Sequence, residues 1–325
     1  MENVSASWKP FHESLLLIAA IVAGASVGLF TSFETSLMDY FIIAMLFMLF
    51  YTISLEGFFD GVKNKKYLFL ALMSNFVVLP LIAFLLSSAL VDRSNAIFVG
   101  LVIYLVAPCT DWYLGFTKLA HGDVEVNSAL LPFNLLLQVV LLPVYLYLFT
   151  ANTIDVPLDV FFDVLIYWAA LPFVAAQFLR WLVSRWRADI FPRSHALAER
   201  FVFVTLLLLV FSIFNVHVES LIANTTGLPS VFGVILIFFI TAFFLARFTA
   251  RSFALSKKQE ISLTMTMAAR NAPLMLVISL VFFPQQPLIH LVLVVGMLLE
   301  FPHLITITQI LKSGTRKSNP QEFVS

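Results

Sequence analysis

The sequence predicts an all-α membrane protein of ten transmembrane helices, arranged as two inverted five-helix repeats. Three observations predict it. Apolar runs of about 20 residues, the length a helix needs to cross a bilayer, recur along all 325 residues. Lysine and arginine are divided between the two sides of those runs almost without exception. An Ala-Pro pair stands near the middle of the fourth run and again near the middle of the ninth. Composition agrees: 61% of residues are hydrophobic and 12% charged, against about 25% charged in a soluble domain. A formal net charge of zero gives no footing for nucleic acid, and the single cysteine, Cys109, excludes an intrachain disulfide. The chain lacks a G-x-x-x-x-G-K phosphate loop, so an ATP-driven pump is not expected within it. No cofactor and no bound metal are expected.

In order, the runs are 13–31, 37–55, 67–90, 96–119, 124–150, 157–183, 201–222, 229–253, 261–283 and 287–311. The first reads as a helix, not a cleaved signal. Its leader, MENVSASWKPFHES, sets Glu2 and Glu13 beside one Lys9, a poor basic region. The GASVG stretch from Gly24 to Gly28 marks close helix packing. The remaining runs are continuous rather than alternating, and far longer than barrel strands. Connections are short and leave no room for a soluble domain. Of 19 Lys and Arg, 17 fall on one side, Arg93 alone on the other, and Arg270 within a span. By the positive-inside rule both termini are cytoplasmic, in the plasma (inner) membrane. The repeats are residues 1–150 and 151–312, followed by a cytoplasmic tail, 313–325.

The repeat rests on the prolines. Ala107-Pro108 and Ala272-Pro273 lie 165 residues apart, each in the fourth span of a set of five. Five is odd, so the second set lies upside down relative to the first. Paired interrupted helices in such a repeat are the pattern of secondary transporters. Proline removes a backbone donor and disfavours helix in the residue before it. At this depth the freed groups need protein, water or substrate as partners.

Polar side chains gather at the breaks. Asp111 follows Pro108 closely, and a mid-bilayer carboxylate faces a pathway or a partner. Arg270, near the centre of the ninth span, is its expected ion-pair partner. Arg270 otherwise reads as an anion-binding group or as a built-in positive charge replacing a coupling cation. Asn134 and Gln138 stand at i and i+4 and share one helix face. Glu300 and His303, one turn apart, could relay protons or form a packing pair shielded from lipid. His217 reads as interfacial, and the 35 phenylalanines as lipid-facing bulk.

The motifs APCT (107–110), GD (122–123), FNLLLQ (133–138) and GMLLEFPHL (296–304) resemble those of arsenite efflux transporters in the bile acid/sodium symporter superfamily. That resemblance implies a panel of helices 1, 2, 6 and 7 moving against a core of helices 3, 4, 5, 8, 9 and 10. It also implies that helices 4 and 9 cross at their unwound centres, where substrate binds. It casts Cys109 as the essential thiol, Asn134 and Gln138 as the polar pair on helix 5, and Glu300 as the acid of helix 10. The sequence departs from the family pattern in Asp111-Trp112-Tyr113 after the cysteine and in the lack of a carboxylate after Arg270-Asn271. The expected substrate contacts are Cys109, Thr110, Asn134, Arg270 and Asn271, with Gln138 lining the same region. Asp111 and Glu300 are the expected coupling groups, and Pro108 and Pro273 the helix breaks. Two functions compete: arsenite efflux by proton exchange, conferring arsenic resistance, and sodium-coupled symport of an organic anion. The missing carboxylate in the ninth span tilts the choice towards protons. A membrane enzyme or receptor without transport is the weakest reading, because it gives the paired breaks no role.

Overall fold

Among the described residues of the computed structural model, every extended element is a helix, and the one β-bridge joins Pro108 to Arg270. The structure describes residues 2–31, 36–52, 64–110, 112–150, 165–223 and 227–318. In chain order the helices are α1 (Glu2–Gly28), α2 (Ser36–Thr52), α3 (Lys65–Leu90), α4 (Ala96–Val106), α5 (Trp112–Leu119) and α6 (Val124–Thr150). They continue as α7 (165–186), α8 (Phe191–Val216), α9 (Val218–Ala223), α10 (Leu228–Ser252), α11 (Lys257–Ala268), α12 (Ala272–Phe282) and α13 (Pro287–Ser318). Five of these, α3, α6, α8, α10 and α13, are long and apolar enough to cross a membrane. Shorter apolar stretches lie in α1, α2, α4 and α12.

Which residues face outwards identifies the solvent. Phe30, Tyr40, Leu85, Tyr147, Phe178, Phe244 and Phe248 are all exposed, while Asn75, Asn127, Asn134 and Arg270 are fully buried. Water would drive the opposite sorting; a hydrocarbon surround accepts this one. The protein is therefore an integral membrane protein.

The apolar runs 96–119 and 261–283 are both interrupted. Helix α4 stops at Val106 and α5 starts at Trp112; α11 stops at Ala268 and α12 starts at Ala272. Pro273 falls in the first turn of α12, where a missing N–H costs nothing. Proline acts differently in α3. There the ladder widens into a π turn over Ser74–Val78 just before Pro80. Pro80 cannot donate to the Phe76 carbonyl four residues back, and the Tyr145 hydroxyl of α6 donates to it instead at 2.6 Å.

Helices α1, α2, α7 and α8 pack with one another, and α3 to α6 pack with α10 to α13. The two groups meet where α1 and α8 touch α13 and where α2 touches α12. This grouping draws on both sequence halves, as the resemblance implies. In the first group, Cβ atoms added at Gly24 and Gly28 would run into the backbones of Phe211 and Asn215 on α8. The GASVG stretch is thus a packing face. Gly28→Leu should wedge α1 from α8 and pull Asn215 Nδ2 off the Thr31 carbonyl it caps at 2.9 Å. A loss of about 1–3 kcal/mol is expected, read as a lowered Tm in detergent. Gly233→Leu, where a Cβ meets open space, should leave Tm unchanged.

Candidate functional site

The two interrupted spans meet at their breaks. Ala107 and Ala269, each following the last residue of a half-helix, are extended. For Ala107 the cause is local, since proline disfavours helix in the residue before it. The strands so formed run antiparallel: Cys109 N–H donates to the Ala269 carbonyl at 3.1 Å, and Asn271 N–H to the Ala107 carbonyl at 3.0 Å. Each break therefore supplies the partners the other lacks. At this depth an unpaired peptide group would cost several kcal/mol, so the crossing holds both spans open together.

Arg270 sits in the middle of this bridge and is fully buried. Its guanidinium donates to backbone carbonyls: Nη1 to Leu105 at 3.0 Å, and Nη2 to Met267 at 2.9 Å and Thr266 at 3.3 Å. Those carbonyls belong to the last turns of α4 and α11, where helices leave acceptors unsatisfied. The ring of Phe238 lies 5.5 Å from the guanidinium carbon. The Glu300 carboxylate accepts from the Arg270 backbone N–H at 3.0 Å rather than from its guanidinium.

A second, uncharged cluster adjoins it. Asn271 caps α12 with its side-chain oxygen, and its Nδ2 donates to Thr110 Oγ1 at 3.0 Å and Gln138 Oε1 at 3.2 Å. Asn134 Nδ2 lies 3.5 Å from both the Cys109 carbonyl and Thr266 Oγ1, and Asn75 Nδ2 donates to Thr266 Oγ1 at 3.1 Å. Three buried atoms in this cluster have no hydrogen-bond partner among the described residues: Asn75 Oδ1, Asn134 Oδ1 and Gln138 Nε2. Two acceptors and one donor without partners, in one buried cluster, suit a guest that can both donate and accept.

The sequence-derived candidates are thus placed as follows. Thr110, Asn134, Gln138 and Asn271 come together in the uncharged cluster, with the Cys109 backbone among them. The Cys109 side chain belongs to a neighbouring buried apolar cluster with Tyr113, Met265, Ala268 and Phe301. Asp111 lies outside the described residues. Pro108 lies within the first break and Pro273 in the first turn of α12, just after the second. His303 stacks on Phe239 with ring centroids 4.1 Å apart. His217 follows the last residue of α8.

Asn75 and Thr266 were not among the expected residues, although both are polar groups inside apolar runs. Ser74-Asn75 precedes Pro80 by one turn and a half, and that pairing of a polar residue with a proline was the available signal. The GD motif is structural. A Cβ at Gly122 would meet Thr117, Ile261 and Ser262 at 2.8–3.0 Å, and Asp123 N–H donates to Ser262 Oγ at 2.8 Å, fastening α5 to α11. Asn127 strengthens the same join, accepting from Tyr67 Oη at 2.5 Å and donating to Thr117 Oγ1 and the Ser262 carbonyl.

No curated protein sequence matches the chain significantly. The model of the sodium bile acid symporter family matches residues 40–224, which takes in most of α2, all of α3 to α9 and the whole of the first break. That match covers more than half of the chain, and with the crossed, interrupted helices it places the protein among membrane transporters: the chain belongs to the sodium bile acid symporter family.

Proposed function

We propose that the protein is a secondary active transporter that exports a small neutral polyhydroxy solute, arsenous acid above all, in exchange for protons. It works by alternating access in a fold of ten spans and two inverted repeats, with both termini cytoplasmic and the plasma membrane as its location. The observation that carries this reading is the uncharged cluster at the crossing, with three buried atoms that have no partner among the described residues. Arsenous acid is a neutral trihydroxide at physiological pH. Its hydroxyls can donate to Asn75 Oδ1 and Asn134 Oδ1, and one of its oxygens can accept from Gln138 Nε2. Cys109, whose carbonyl is in that cluster and whose sulfur lies in the apolar one, supplies the ligand type a metalloid favours once its side chain turns to the guest. Glu300 and Asp111 are the proton carriers in this reading.

The family match by itself favours a second reading, sodium-coupled symport of an organic anion. That reading needs a cationic group with donors free for a carboxylate or sulfonate. Arg270 aims both of its Nη atoms at helix-end carbonyls and keeps Nε alone without a partner among the described residues, so its two-pronged fork does not face an anion, which supports the neutral solute.

Everted membrane vesicles decide between them. Arsenite uptake driven by a proton gradient and unaffected by replacing sodium with choline is expected, with no uptake of organic sulfonates. Sodium-driven uptake of a sulfonate without arsenite transport would overturn the proposal. Cys109→Ser keeps the volume but loses soft-ligand affinity, so arsenite flux should fall to background in a folded protein whose Tm drops only by the cost of a hydroxyl in that apolar cluster, about 1–3 kcal/mol. Full flux in that variant would remove the thiol from the mechanism.

A further inference from the structure

We infer that Arg270 is a tethered cation: its guanidinium occupies a cation seat between the ends of α4 and α11, and removing it opens that seat to a free monovalent cation. The inference rests on the transporter reading, but its test reads ion binding rather than flux, so either can fail alone.

Three observations carry it. The first is charge balance. A helix C-terminus carries roughly half a negative charge, so the two that converge here supply about one, and the Glu300 carboxyl group on the Arg270 backbone N–H adds to the acceptors around the guanidinium. The second is the identity of the ligands. Leu105, Thr266 and Met267 present backbone carbonyl oxygens to Arg270 at 2.9–3.3 Å. Carbonyls of unwound segments and half-helix ends are the donors with which broken-helix transporters hold a coupling ion. The third is burial. Arg270 has no exposed surface, and its Nε has no hydrogen-bond partner among the described residues. An arginine serving a substrate would aim its fork of donors into an accessible path. This one points its Nη atoms at the protein's own helix ends, so its charge stays in place whatever enters the cluster beside it.

A consequence follows for coupling. With this seat filled by a side chain, sodium has no place there, and the wild-type protein should be indifferent to it. Arg270→Ala leaves the three carbonyls and removes the charge that balanced them. Arg270→Lys keeps a positive charge at the seat.

The experiment measures Tm of purified protein in matched sodium, potassium and choline chloride, with millimolar guanidinium as a fourth arm. Wild type should melt at the same temperature in all four. Arg270→Ala should melt lowest in choline and recover about 3–5 °C in sodium, potassium or guanidinium once the ion is well above its Kd. Arg270→Lys should be indifferent to the added ion, like wild type. A merely structural arginine predicts a uniform loss of stability with no dependence on the ion. Any one of three results overturns the inference: a wild-type protein stabilised by sodium over choline, an Arg270→Ala protein that responds to none of the small cations, or an Arg270→Ala protein that cannot be recovered folded in any of these salts.

Discussion

Asn271→Ala should abolish transport and remove about 3 kcal/mol of stability, the largest stability effect expected of any single uncharged side chain in the site. The residue does three jobs at once. It caps α12 by accepting from Leu274 N–H, and it donates to Thr110 and Gln138 across the crossing. Losing a helix cap costs about 1 kcal/mol. Leaving a buried acceptor without its donor costs about 1–3 kcal/mol, and Gln138, whose Oε1 accepts from Asn271, is buried. The sum is far above a surface substitution and should lower Tm by roughly 6–10 °C. Asn271→Ser separates the parts. Serine restores the cap but cannot reach both neighbours, so about 1 kcal/mol should return while transport stays lost. Chemical denaturation and vesicle flux on the two variants check this. Transport retained by Asn271→Ala with Tm within about 2 °C of wild type would mean that the cluster is organised by other residues.

Much of this arrangement was legible in the sequence, for identifiable reasons. Pro108 and Pro273 announce the interruptions, because proline cannot donate to a ladder and hydrocarbon tolerates no loose backbone. Asn134 and Gln138 were readable as one face because helical spacing fixes direction. Gly24 and Gly28 were readable as a packing face. The partners of Arg270 were not legible. An ion pair was expected because a charge in a sequence suggests an opposite charge, whereas the observed partners are carbonyls, which every residue has. Whether Asp111 adds to them falls outside the described residues. Asn75 was hidden for a different reason. A π turn over Ser74–Val78 interrupts the regular helix there, and its position, like the distant partner Thr266, is not encoded in apolar periodicity. The Cys109 side chain shows a third limit. Its backbone faces the polar cluster and its side chain an apolar one, and in an extended segment neighbouring groups alternate sides.

Glu300→Gln should abolish uphill transport while leaving the fold almost untouched, and this pairing of outcomes distinguishes a coupling acid from a scaffold. Glu300 is buried, and its Oε1 accepts from the Arg270 backbone N–H at 3.0 Å, in the middle of the bridge. Glutamine offers a carbonyl oxygen at the same reach, so that hydrogen bond survives and Tm should stay within about 2 °C of wild type. Glutamine cannot take up or release a proton. Vesicles carrying it should therefore exchange arsenite for arsenite down a gradient but fail to accumulate it when a proton gradient is applied. Glu300→Ala completes the comparison. It removes the acceptor as well, strands the Arg270 N–H at the crossing, and should cost about 1–3 kcal/mol in addition to the lost coupling. If Glu300→Gln accumulated arsenite as well as wild type, the proton would travel without Glu300, leaving Asp111 as the carboxylate to test next. If instead the glutamine variant were as unstable as the alanine one, the negative charge itself would be holding the crossing together, and Glu300 would be a counter-charge rather than a proton carrier.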